Sequence, residues 1–273
     1  MITAKIIAHS KSPEDKEIIS LQLHYPKFIH GEFMTHRVFS RNASSSRAIP
    51  FDKLVDDIEY NMAMPVYWGS NKPGMQAGEE IVHIDMAKSN WTSAFGAAKH
   101  YAWQLHELGV HKQIVNRLLE PFYNINVLVT STEWDNFFEL RDHPDAQPEI
   151  RDLAWKMRAV IKASTSKELD YGEWHLPYIQ CAEKGCPTFT QEMLIKMSVA
   201  RCARVSYLTH EGKDPDYKKD LELYDRLVGS KPIHASPAEH QATPCSERLQ
   251  GDLQGNFKQW VQYRKMLEKG ISL

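Results

Sequence analysis

Apolar residues take every second position in two stretches near the start of the chain: Ile2, Ala4, Ile6 and Ala8, then Ile19, Leu21, Leu23 and Tyr25. A period of two puts alternate side chains on opposite sides of an extended backbone, so each stretch predicts a half-buried β-strand. The polar segment between them reads as a turn, and Pro26 ends the second strand.

Most of the chain beyond Pro26 has helical spacing. Lys27 to Arg41 predicts a helix with Phe28, Ile29 and Phe33 on its apolar side. Serines and Pro50 keep Asn42 to Pro50 from extending it. Asn61 to Met86, punctuated by "PVYWGSNKPGMQ", reads as a long loop. Trp91, Phe95, Ala98, Ala102 and Leu105 share one face of a helix that Gly109 stops. Further helices are expected over His111 to Leu119, over Thr132 to Arg141, and along Ile150, Leu153, Ala154, Met157, Val160 and Ile161. Residues 163–189 are irregular and read as a linker. Beyond it, Gln191 to Arg204, Asp216 to Val228 and Asn256 to Glu268 are helical candidates, the last burying Phe257, Trp260 and Val261. The sum is a helix-rich α+β chain with few strands.

The chain's 273 residues allow one large domain or two small ones, and 42% hydrophobic with 25% charged residues is an ordinary globular balance. No apolar run is long enough to span a bilayer, and the start lacks a signal-peptide pattern, so a cytoplasmic protein is expected. Cys181, Cys186, Cys202 and Cys245 read as reduced thiols, with no spacing that suggests a metal site. A formal net charge of -2 argues against binding long nucleic acid. Any anion must therefore be met by a local cluster.

Such a cluster exists in "THRVFSRNASSSRAIPF", Thr35 to Phe51, which holds three arginines, one histidine, four serines and no acid. On a continuing helix His36 and Ser40 share a face, as do Arg37 and Arg41. Small residues let backbone N–H groups approach an anion, hydroxyls add donors, and arginine presents a planar fork to phosphate. That chemistry suits a nucleotide or a phosphorylated cofactor. A solvated basic helix end complementing its own dipole accounts for the same composition.

The spacing resembles the signature of the flavin-dependent thymidylate synthases, "RHRxxSxNExSxRY". His36, Arg37, Ser40, Asn42, Ser45 and Arg47 match it, whereas Thr35, Ala43 and Ala48 stand where the family prefers Arg, Glu and Tyr. A second block, "NRLLEPFYNINVLVTSTEWDNFFELRDHPDAQPEIRDLA", resembles the family segment after the signature through Arg117, Pro121, Asn136, Arg141, Ala146, Gln147, Glu149 and Ile150. Within it, Thr130 and Thr132 stand where the family has Asn and Arg. A third block precedes the signature in the family but lies near the C-terminus here: "ARCARVSY" (Ala200 to Tyr207), a helix, then "HASPAEH" (His234 to His240). The parts are present in rotated order, from which a circular permutation is inferred. The tail "NFKQWVQYRK" faintly echoes the helix that leads into the family signature, leaving open whether Gln259 or Arg264 replaces the Arg missing at Thr35.

The resemblance implies a single catalytic domain over 1–273. Its parts are a signature-containing piece (1–162), a linker (163–189) and a permuted piece (190–273), with a small, mainly antiparallel sheet. It implies transfer of a one-carbon unit from methylenetetrahydrofolate to C5 of dUMP, with FAD as the hydride-carrying cofactor and NADPH as reductant. It also implies a homotetramer with shared sites. Ser45, Ser46, Arg47, Arg117 and Arg141 are implied to bind the nucleotide, with Ser45 and Arg141 the catalytic pair. His36, Arg37, Asn42, Asn136, Ser206 and His240 are implied to line the flavin. A signature without cysteine fits a route that does not add a thiolate to the base. Two alternatives stay open: a flavin-dependent pyrimidine nucleotide C5 hydroxymethylase, and a nucleotide- or flavin-binding paralogue without catalysis.

Overall fold

The structure, a computed structural model, describes residues 1–205, 216–245 and 251–271. The two alternating stretches form β1 (Thr3–Lys11) and β2 (Glu17–Pro26), paired antiparallel. Their turn is closed by Ser12 N–H donating to Lys16 O (3.0 Å) and Asp15 N–H to Ser12 O (3.0 Å), with Asp15 at φ 63°. After a 3-10 turn at Lys27–Ile29, α1 (His30–Phe33) is short and leads to β3 (Ser40–Ala43). Next come α2 (Phe51–Tyr60), α3 (Ile84–Glu107) and α4 (Lys112–Val115), and a 3-10 segment, Asn116–Phe122, leads into β4 (Asn124–Ser131). Then α5 (Asp135–Arg141), α6 (Pro148–Lys162) and β5 (Lys167–Glu168) complete the first part. The rest holds α7 (Cys181–Lys184), α8 (Gln191–Arg204), α9 (Tyr217–Val228), a 3-10 turn at Ser236–Glu239, β6 (Ala242–Pro244), β7 (Trp260–Gln262) and α10 (Tyr263–Glu268).

The main sheet runs β3-β4-β2-β1-β5, antiparallel throughout except for the β1–β5 pair, and β6 and β7 form a separate antiparallel ribbon. The helix-rich α+β class expected from the sequence is the class found. Ile19, Leu21, Leu23 and Tyr25 of β2 and Ile125, Val127 and Val129 of β4 pack into one apolar core with α2, α3, α5 and α6. The opposite face is also covered, by the C-terminal part. There Leu128 packs on Cys202 and Val205, and Ile18 packs on Ala242, Phe257 and Trp260. β2 is therefore covered on both faces rather than half-buried.

Three expectations fail locally. The helix over Lys27 to Arg41 ends at Phe33, because Thr35 closes it. Thr35 N–H and Oγ1 both donate to Glu32 O (3.1 and 2.7 Å), meeting a C-terminal carbonyl that the helix leaves free. Ser40 to Ala43 then pair with β4, so the helical face proposed for His36 with Ser40 and for Arg37 with Arg41 does not exist. The terminal helix starts only at Tyr263. Gln259 has φ 62°, which no helix accommodates, and Trp260–Gln262 is a strand that still buries the apolar residues expected there. Residues 163–189 run along the protein rather than away from it: Trp174, His175 and Leu176 are buried, and His175 bridges to Ala242.

Candidate functional site

β3 organises the signature. Ser40 and Asn42 face the C-terminal part: Gln262 Nε2 donates to Ser40 Oγ (3.1 Å), and Asn42 Nδ2 donates to Cys202 O (2.6 Å). On the other side, the Arg41 guanidinium donates to Met34 O (2.9 Å) and His36 O (3.2 Å), bracing the turn before the strand. Gln262 needs Gly255 beside it. A Cβ at Gly255 would meet Gln262 Oε1 at 2.3 Å, and the backbone there has φ 58°.

At the N-terminal end of β3, two residues that the sequence assigned to different ligands meet. Arg141, at the end of α5, donates through Nε to His36 Nε2 (3.0 Å), through NH1 to Glu32 Oε2 (3.1 Å) and through NH2 to Thr35 Oγ1 (3.3 Å). His36 is buried, its ring stacked on Phe39 and edge-on to Phe137. Burial, reinforced by Arg141 and Arg41, lowers its pKa to about 4. The imidazole is thus neutral near pH 7, and because Nε2 accepts, its proton sits on Nδ1. Arg141 thus brings a guanidinium against Thr35. Arg264 instead ion-pairs with Glu239 and Glu268, and Gln259 offers its carbonyl to Cys245 N–H. Arg37 and Asn136 are exposed nearby in sequence to this group.

The other end of β3, roughly 10 Å away at ~3.3 Å per residue, opens into the serine run. Asn116 Nδ2 pins it by donating to Ser46 O (2.7 Å) and Ile49 O (3.0 Å), and Lys112 Nζ donates to Ala48 O (2.9 Å). Ser46 Oγ donates to Glu120 Oε1 (3.2 Å), which also takes Arg117 NH1 (2.6 Å). Ser46 and Arg117 are thus brought together, through a carboxylate that the sequence reading missed. Glu120 lies three residues after Arg117, a helical spacing that was the available signal. Arg47 is exposed and Ser45 half-exposed. Burial lowers the pKa of Lys27, against the opposing pull of Glu120, and pushes the Tyr123 phenol up to about 12.

From the C-terminal part, His240 is wholly buried, with Nδ1 2.9 Å from Thr130 Oγ1 and Nε2 without a partner among the described residues. Burial lowers its pKa to about 3. Ser206 lies outside the described residues. Arg201 and Arg204 of the third block bond Asp220 of α9, and Arg201 also bonds Glu183, so both hold the C-terminal part together.

A family model described as thymidylate synthase complementing protein matches residues 4–165. The chain belongs to that family. The matched span runs from β1 to the end of α6 and contains both ends of β3, Arg117, Asn136 and Arg141, whereas His240 lies outside it. A flavin-dependent thymidylate synthase of Sulfolobus acidocaldarius is 32% identical over 135 residues, 48% of this chain and 44% of that protein. The chain thus matches less than half the length of that curated relative. A solved UMP/dUMP methylase, PolB from Streptomyces cacaoi bound with 5-Br dUMP, superposes with TM-score 0.50 at 15% identity, covering 60% of this chain and 90% of that one. This likeness is one of fold. A groove of about 630 Å³ between Val66–Tyr67 and Asp142–Trp155 is lined by none of the signature residues.

Proposed function

We propose that the chain is a flavin-dependent enzyme that transfers a one-carbon unit from methylenetetrahydrofolate to C5 of dUMP. The observation that carries this reading is the meeting of His36 and Arg141, from separate blocks, in one polar group beside Thr35. Arg141 then has two tasks: it holds His36 neutral and in one tautomer, and it presents cationic N–H groups to an anionic nucleotide. Ser45, Ser46, Arg47 and Arg117 form the phosphate end, where Glu120 keeps Ser46 and Arg117 together until the phosphate replaces it as acceptor.

The residues fit a flavin. His240 Nε2 is a buried polar atom lacking a partner among the described residues, and Arg37 and Asn136 are exposed donors. His36, Arg37, Asn136, Ser206 and His240 would hold the cofactor, and Asn42 serves by tying β3 to α8. When bound and kept reduced by NADPH, the flavin would supply hydride to the transferred carbon. The chain's own residues bind, orient and exclude water.

On this reading residues 1–273 act as one catalytic domain of the cytoplasm, with 190–273 a circularly permuted piece. The bonds from Cys202 and Gln262 to β3 support a shared unit. The exposure of Arg37, Arg47, Arg117 and Asn136 on a single chain supports sites completed across a homotetramer. The test is product mass: purified protein with FAD, methylenetetrahydrofolate and dUMP or dCMP, with and without NADPH. A methyl product is expected. A hydroxymethyl product replaces the reading with a C5 hydroxymethylase, and bound nucleotide without product replaces it with a non-catalytic paralogue.

A further inference from the structure

Three hydroxyls form a row across the sheet. Ser40 on β3 and Ser20 on β2 both lie opposite Thr130 on β4, and all three are wholly buried. Ser20 Oγ lies 2.6 Å from Thr130 Oγ1 and 2.8 Å from His175 Nε2, while His175 Nδ1 lies 2.9 Å from Ser10 Oγ. With the Thr130–His240 contact this makes one buried chain: Ser10, His175, Ser20, Thr130, His240. Residue 175 lies beyond the part of the chain that matches the family. It is nevertheless firmly placed, its N–H donating to Ala242 O (2.8 Å) and its ring edge-on to Trp260.

Each hydroxyl in such a chain has one proton to donate, and a neutral imidazole donates from one nitrogen and accepts at the other. Burial lowers the pKa of both rings to about 3, so both are neutral near pH 7. Ser20 and Thr130 have no other side-chain partner among the described residues, so each donates within the chain, and only two proton arrangements then satisfy every link. In one, His240 Nδ1–H donates to Thr130, Thr130 to Ser20, Ser20 to His175 Nε2, and His175 Nδ1–H to Ser10. In the other every donor reverses: Ser10 donates to His175 Nδ1, and Thr130 donates to His240 Nδ1. The unpartnered His240 Nε2 is an acceptor in the first and a donor in the second.

We propose that His175 is a positioning residue that acts through Ser20 and Thr130 to fix the tautomer of His240, and with it the hydrogen-bonding sense that Nε2 shows a bound ligand. What that ligand is rests on the function proposed above; the coupling of the two tautomers does not. The two histidines are required to carry their proton on the same nitrogen, both on Nδ1 or both on Nε2.

The full-length protein labelled with ¹⁵N-histidine and observed near pH 7.5 by long-range ¹H–¹⁵N correlation tests this directly. His175 and His240 are expected as single, matching neutral tautomers. Ser20→Ala, which removes a link but touches neither nitrogen of His240, is expected to give His240 a mixture of tautomers, as is Thr130→Val. Thr130→Ser, which keeps the hydroxyl, is expected to preserve the wild-type signal. Opposite tautomers in the wild type, or an unmoved His240 signal in folded Ser20→Ala, overturn the proposal. FAD titrated against the same proteins is expected to bind the two broken chains roughly ten-fold more weakly, the scale of one hydrogen bond. Absence of FAD binding by the wild type defeats the flavin reading and leaves the tautomer result to stand or fall alone. Equal affinity across the series with altered tautomers overturns the link to the ligand.

Discussion

The two faces of the main sheet are built from the same strands and held by different physics. On β2, Ile19, Leu21, Leu23 and Tyr25 enter a core completed by Phe33, Phe39 and Phe137, where burial of area is non-directional. Between them, Ser20 enters a chain of hydroxyls and imidazoles in which every link joins two named partners, while the end atom, His240 Nε2, has none among the described residues. The first face supplies stability through the area it buries, without requiring particular partner atoms. The second contributes less net energy per contact but has few permitted arrangements, because a buried polar group left unpaired is costly. The signature follows the same division: Arg41 braces one side of β3, and Ser40 and Asn42 join the C-terminal part on the other.

The largest expected effect comes from acid, to which His36, packed on Phe39 and Phe137 with a pKa of about 4, also contributes. His175 and His240, on the polar face, keep pKa values of about 3 when folded, against 6.5 for the free group. Above pH 6.5 neither state takes up a proton there. Below it the unfolded chain binds protons that the folded chain refuses, so stability falls as pH drops from 6.5 towards 3. Each unit costs about 1.4 kcal/mol per imidazole once well below 6.5. Urea titrations from pH 7 to 4 should show a steep loss, and a flat profile would break the assignment of neutral, buried rings.

Next in size, Leu21→Ala on the apolar face should lose about 2–5 kcal/mol in urea unfolding, through transfer and cavity terms. Arg141→Ala should lose about 1–2 kcal/mol. It should also raise the pKa of His36, since Arg141 is one of the charges depressing it, which histidine NMR reads out. On the proposed function it abolishes methyl transfer while the protein stays folded. Arg117→Ala is expected at the bottom of the scale. It leaves stability within about 0.5 kcal/mol, because its ion pair with Glu120 is exposed. Its effect should instead appear as weaker dUMP binding by calorimetry, and unchanged affinity would remove Arg117 from the phosphate end.

Much of this was legible in the residue order. The alternation of Ile2 to Tyr25 marked β1 and β2, and Gly109, at φ 77°, stops α3 where expected. Asp216 caps α9 by accepting from Lys218 and Lys219 N–H. β4 was not seen, because its continuous apolar run has neither period and only pairing on both edges makes it a strand. β3 and β7 are too short to carry a period, and both form against partners distant in sequence.

For the candidate site, resemblance to the family's blocks singled out His36, Arg37, Asn42, Ser45, Arg47, Arg117 and Arg141. Family membership follows from the matched sequence itself. Tertiary structure alone decided that Arg141 stands at Thr35, that Glu120 joins Ser46 to Arg117, and that His175 reaches His240 through two hydroxyls. The reason is physical. Local spacing sets which side chains an element presents, whereas a hydrogen bond depends on distance and angle between elements, which only the packed sheet supplies.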